Sequence, residues 1–176
     1  MESKAKLMGH PIHPMLIVFP LGLLATSLGF DVGYLTTGNP ELATVSFWMI
    51  SAGILGGLLS ALFGAIDWWA IPPNTRAKAI GLWHGAGNLL VVLLFIVSWY
   101  VRSQVPGHSP SSAAVTLSCF AVGLALITGW LGGELVDRLG VGVDRGAHLN
   151  APNSLSGRPA SEEDHHDAPA HRPRRA

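Results

Sequence analysis

Apolar residues in this chain do not recur on a helical or strand period. They run in four long blocks, at about residues 12–30, 45–66, 80–101 and 113–133. Each block is close to the ~20 residues that cross a hydrocarbon core. None contains Asp, Glu, Lys or Arg, and none shows the polar stripe of a soluble amphipathic helix. The pattern predicts four transmembrane helices. The connections, residues 31–44, 67–79 and 102–112, are short, and short loops make neighbouring helices antiparallel. The expected fold is an all-α integral membrane four-helix bundle, up-down-up-down, over residues 1–145. Lys4 and Lys6 before the first block imitate a secretory signal. The block is too long for a signal core and no small-x-small cleavage site follows, so it reads as a retained first helix.

Small residues recur four apart at Gly53, Gly57, Ala61 and Ala65, and at Ala121, Ala125, Gly129 and Gly133. Such stripes let helix backbones approach closely, within one chain or in a homo-oligomer. Pro20 lies inside the first block and is expected to kink it. The six tryptophans sit mostly near block ends, as an interfacial aromatic belt requires.

Composition agrees. The chain is 49% hydrophobic and 12% charged, about half the charge of a soluble domain. Net charge is zero, so nothing points to nucleic acid. The single cysteine, Cys119, excludes an intrachain disulfide and reads as a small core side chain. Lys and Arg border the N-terminus (Lys4, Lys6), the middle loop (Arg76, Lys78) and the C-terminal side (Arg138, Arg145). The first loop has none and the third only Arg102. This bias predicts cytoplasmic termini in a cell inner membrane. Residues 146–176 are rich in Pro, Ser, Ala and charge, and are expected to form a disordered cytoplasmic tail. Its histidines, His165, His166 and His171, lie among acidic residues, where a solubilising role outweighs weak metal binding.

Polar residues at the block borders gather at one membrane face: His10, His13, Asp67, His84, Glu134 and Asp137. Asp31 and Glu41 fall at the other. Ionisable groups in a membrane need partners, ligands or water. His10 and His13 stand three apart among prolines at a helix entrance. Imidazole ligates metals and haem iron, although a pair in the headgroup zone also serves as a polar anchor. His84 lies about one turn into the third block, with Asn88 at i+4. The first and third helices run parallel, so His13 and His84 can meet at one height, as a bis-histidine haem b needs. Gly81 and Gly85 would leave room. With His10, Asp67 and Glu134, the two histidines would form an N/O metal site for iron, manganese or zinc; alternatively the carboxylates orient the imidazoles from behind. Asp137 reads as an interface charge. No nucleophile elbow, His-Glu-x-x-His or phosphate loop is present.

The segments Gly9-His10-Pro11-Ile12-His13-Pro14-Met15-Leu16, Phe19-Pro20, Ile66-Asp67-Trp68, His84 to Asn88, Gly129-Trp130-Leu131-Gly132-Gly133-Glu134-Leu135 and Gly140-Val141-Gly142-Val143 together resemble a bacterial membrane family, domain of unknown function 2231, over residues 8–145. The resemblance implies a four-helix membrane protein with no assigned activity. Some relatives are joined to Rieske-type iron–sulfur modules, which implies a redox setting. This chain has no Rieske Cys-x-His pair, so an iron–sulfur partner would be a separate protein. Many relatives carry a further His before the Phe-Pro, where this chain has Val18. The expectation is a haem- or metal-binding redox component with its site in the cytoplasmic leaflet; no motif names a reaction, which leans against an enzyme. The alternative is a structural or assembly subunit without a cofactor. An ion or proton carrier ranks last, for want of acidic groups at the bilayer midplane.

Overall fold

The computed structural model describes residues 1–163. A small antiparallel hairpin, β1 (Lys6–Leu7) and β2 (His10–Pro11), precedes four helices: α1 (Ile12–Thr37), α2 (Pro40–Ala70), α3 (Arg76–Ser103) and α4 (Ser112–Gly133). A single 3-10 turn (Pro106–His108) lies before α4, and a π turn (Glu134–Arg138) continues it. All four helices are long and apolar enough to span a membrane. The protein is an all-α membrane bundle.

Short polar residues set the helix ends. The Asn39 side chain accepts from the Glu41 amide with Pro40 in the first turn, Thr75 accepts from the Lys78 amide, and Ser111 from the Ala114 amide. These are the residues that satisfy orphan amides at a helix start. α1 closes on Gly38, whose positive φ of 70° lets its amide return to the Tyr34 carbonyl. Two residues, Gly38 and Asn39, therefore make the whole α1–α2 turn. This corrects the hydropathy reading, which placed Asp31 and Arg102 in loops. Asp31 lies within α1 and Arg102 within α3. Apolar runs mark the length facing lipid; caps mark where a helix ends.

α1 packs on α2, α2 on α3, α3 on α4 and α4 on α1, leaving α1 and α3 at diagonal corners. Leu24, Ile50, Ile54, Val91, Val92, Phe95 and Ala121 form the apolar centre. The outer surface is also apolar: Phe19, Leu62, Phe120 and Leu126 are exposed, which suits lipid contact. Trp69, Trp83 and Trp130 stand exposed near one end and Trp48 near the other.

The small residues split between roles. A Cβ on Gly53 would come within 2.6 Å of the Leu24 side chain, and one on Gly87 within 2.5 Å of Thr128 Cγ2, so both mark close helix approach. Gly129 faces open space, so the α4 stripe does not follow one interface. α1 runs through Pro20 uninterrupted. The buried ring of Pro20 seats over Gly56, where a Cβ would lie 3.3 Å from Pro20 Cδ. Cys119, expected in the core, is exposed on the outer face; its neighbour Ser118 takes the inward position.

Candidate functional site

His13, at the start of α1, and His84, in the third turn of α3, face each other across the bundle. Their ring centroids are 6.2 Å apart and the rings are nearly perpendicular, at 84°. His13 Nδ1 stands 2.9 Å from the Ser60 carbonyl of α2, and His84 Nδ1 2.8 Å from the Thr128 carbonyl of α4. A carbonyl only accepts, so each Nδ1 carries a hydrogen, and Nε2 is the ring nitrogen turned away from that contact. Each ring lies against a glycine. A Cβ on Gly64 would be 2.9 Å from His13 Nδ1, and one on Gly132 would be 3.1 Å from His84 Cε1.

Asn88 completes the α3–α4 side. Its Nδ2 donates to the His84 carbonyl at 2.9 Å, and its Oδ1 accepts from Thr128 Oγ1 at 3.0 Å. The amide nitrogen is 3.4 Å and 3.3 Å from the two ring nitrogens. Near-equal distances keep it off the Nε2 lone-pair axis. Both rings are therefore held in place through Nδ1, each by the backbone of the helix it packs against.

The other polar residues expected at this end have separate partners. Asp67 accepts from Ser3 Oγ at 2.8 Å, the Lys4 amide at 2.7 Å and the Ala5 amide at 3.3 Å, so it fastens the N-terminal segment to the end of α2. Glu134 receives Arg76 at 2.6 Å. His10 is exposed on the hairpin, 3.3 Å from Ser154 Oγ. Asp137 is exposed. Among the described residues, no three of His, Cys, Asp and Glu gather as a metal-ligand cluster. His165, His166 and His171 lie outside the described residues.

The family model for a predicted membrane protein, DUF2231, matches residues 9–145, from the His-Pro hairpin to beyond the π turn. The chain belongs to the DUF2231 family. Its matched segment contains the histidine pair, both glycine seats and all four helices. No curated protein matches it, and no solved structure does.

This DUF2231 protein carries a second polar centre that sequence reading passed over. Near the opposite end of the bundle, Arg102 Nη1 donates to Asp31 Oδ1 at 2.5 Å and Nη2 to Asp31 Oδ2 at 2.6 Å. Both side chains are completely buried. Ser46 of α2 donates to Asp31 Oδ1 at 2.6 Å, and Ser118 of α4 lies 3.3 Å from Arg102 Nη2. Arg102 Nε reaches Ser98, one turn back, at 3.3 Å. All four helices thus meet in one satisfied network. The legible signal was spacing. Asp31 follows His13, and Arg102 follows His84, by eighteen residues. That is five helical turns, which returns to the same face.

Proposed function

We propose that this protein is a membrane redox or metal-binding component whose site is the His13–His84 pair. The carrying observation is the pair's geometry. The ring centroids are 6.2 Å apart, near enough for both imidazoles to reach one metal ion or one haem iron. Ligand histidines characteristically donate the other ring N–H to a backbone carbonyl, as both do here. The donor set fits either a bis-histidine haem b or a single transition ion, and such a group would supply one-electron chemistry. The chain's own contribution is to hold each Nδ1 on a backbone carbonyl and each ring against a glycine. His10, Asp67 and Glu134 act around the pair as helix-end anchors. Lys and Arg asymmetry supports a site in the cytoplasmic leaflet of the inner membrane, with both termini inside. The resemblance supports a separate iron–sulfur protein as electron partner.

The test is cofactor content in detergent-purified protein from cells supplied with iron and haem precursor. We expect a Soret band or about one bound metal per chain, lost in both His13→Ala and His84→Ala. Colourless, metal-free wild-type protein would overturn the reading. A second reading, a structural or assembly subunit, is favoured by the full pairing of Asp31, Asp67, Glu134 and Arg102. Under it, each His variant costs no more than its hydrogen bond and removes no cofactor.

A further inference from the structure

We infer that the bundle is two copies of one helical hairpin, α1–α2 and α3–α4, related by a pseudo-two-fold axis along the bundle, and that Asp31–Arg102 is the charge pair that makes each half recognise the other rather than itself. The correspondence is positional. An offset of 71 carries α1 onto α3, taking His13 to His84 and Asp31 to Arg102; an offset of 68 carries α2 onto α4, taking Gly64 to Gly132. Under the first offset, the four buried residues of α1 fall on buried residues of α3: Pro20 on Val91, Leu24 on Phe95, Ser27 on Ser98, and Asp31 on Arg102. Under the second, the four buried residues of α4 fall on buried residues of α2: Ala114 on Ser46, Ser118 on Ile50, Ala121 on Gly53, and Thr128 on Ser60.

The hydrogen bonds repeat as well. His13 donates to the Ser60 carbonyl and His84 to the Thr128 carbonyl, and these two acceptors correspond. Each ring rests on the corresponding glycine, Gly64 or Gly132. Sequence identity under the offsets is sparse, so the repeat is visible in burial and bonding before it is visible in residue type.

Related helices run in the same direction, so the axis lies along the bundle rather than across it. Residues that meet their own counterparts lie at that axis. His13 meets His84 near one end, and Asp31 meets Arg102 near the other. The two meetings differ in kind. Two histidines are alike, and either half could pair with a copy of itself at that level. At the other level, a self-pairing would bury Asp31 against Asp31 or Arg102 against Arg102 with no counter-charge. Only the α1–α2 hairpin against the α3–α4 hairpin neutralises both. Like-charge juxtaposition is a standard way of rejecting a wrong partner, and in a membrane interior it costs more than in water.

The test uses the full-length protein in detergent, read by thermal unfolding and by size-exclusion profile. Asp31→Arg and Arg102→Asp, each alone, should lose the monodisperse peak or lower Tm strongly. The double reversal, Asp31→Arg with Arg102→Asp, should recover most of that loss, because opposite charges then face each other across the axis again. A double reversal no better than the single variants would overturn the assignment. A milder measurement checks the repeat where the charge variants fail to express. Gly64→Ala and Gly132→Ala should lower Tm by similar amounts. Losses that differ severalfold between these two variants would overturn the two-fold relation.

Discussion

Asp31 and Arg102 show how much one pair of side chains can demand of its surroundings. Each is fully buried, and an ion pair withdrawn from solvent is tolerable only with close geometry and satisfied remaining donors. Ser46, Ser98 and Ser118 provide that satisfaction. Removing one partner leaves a buried charge without compensation, so Asp31→Ala should destabilise the bundle by about 3–5 kcal/mol. Replacing both, Asp31→Leu with Arg102→Met, should cost far less. Unfolding in detergent or by steric trapping measures both, and equal losses would mean that the ion pair itself, not the orphaned charge, carries the stability. The two glycine seats act on a smaller scale. Gly64→Ala should displace the His13 ring, because a methyl there falls 2.9 Å from Nδ1. If a cofactor binds the pair, its absorbance should shift in that variant while Gly129→Ala, open on its outer side, leaves it unchanged.

Among the elements, the N-terminal segment with its hairpin is fastened to the bundle by polar contacts. It is held by Asp67 at the end of α2, by the Met1 amine donating to the Gly140 carbonyl at 2.6 Å, and by Lys6 paired with Asp144. Asp67→Asn should release residues 3–5, seen as faster amide exchange at Lys4 and Ala5, with the four helices still protected. The Lys6 ammonium is held above its ordinary 10.5, first by its hydrogen bond to Asp144 and against the effect of burial. A raised value means the contact contributes in full below pH 10.5 and is lost as pH climbs through the raised value. Protection factors in the hairpin, with the intrinsic base-catalysed rate divided out, should therefore fall on that alkaline side, and Asp144→Asn should remove the step. Protection factors that stay level across that range would show that Lys6 does not tether the hairpin.

At the scale of the molecule, two polar layers bracket an apolar middle. The eighteen residues from His13 to Asp31 span about 27 Å of helix, close to the ~30 Å of a bilayer's hydrocarbon core. The His layer and the ion-pair layer thus stand near opposite faces. Cysteines placed at Asn39, Asn74 and Gly107 in a Cys119→Ser background report which face is which. Lys and Arg bias predicts that 39 and 107 label from outside and 74 does not; the reverse pattern would put the His pair in the outer leaflet. Deleting residues 150–176 should leave thermal unfolding of the bundle nearly unchanged. A large drop would show that contacts such as Ser154 with the Met8 carbonyl dock this segment onto the hairpin.

The number of helices, their alternating directions, and the approach of His13 to His84 were legible from sequence, because hydropathy and loop length act locally and parallel helices of similar length keep their ends level. The caps at Asn39, Thr75 and Ser111 were written there too, but hydropathy blocks drew the helices too short and left Asp31 and Arg102 outside. Their pairing was decided only in three dimensions. A charge flanking an apolar block looks the same whether it meets water or a partner, and the partner here lies seventy-one residues away. Tertiary structure also decided which ligand-type residues share a site. Asp67 and Glu134 border the same membrane face as the histidines, yet their nearest opposite dipoles and charges, the Ser3–Ala5 segment and Arg76, claimed them first. Sequence order assigned each helix its end of the bundle; only packing assigned each side chain its partner.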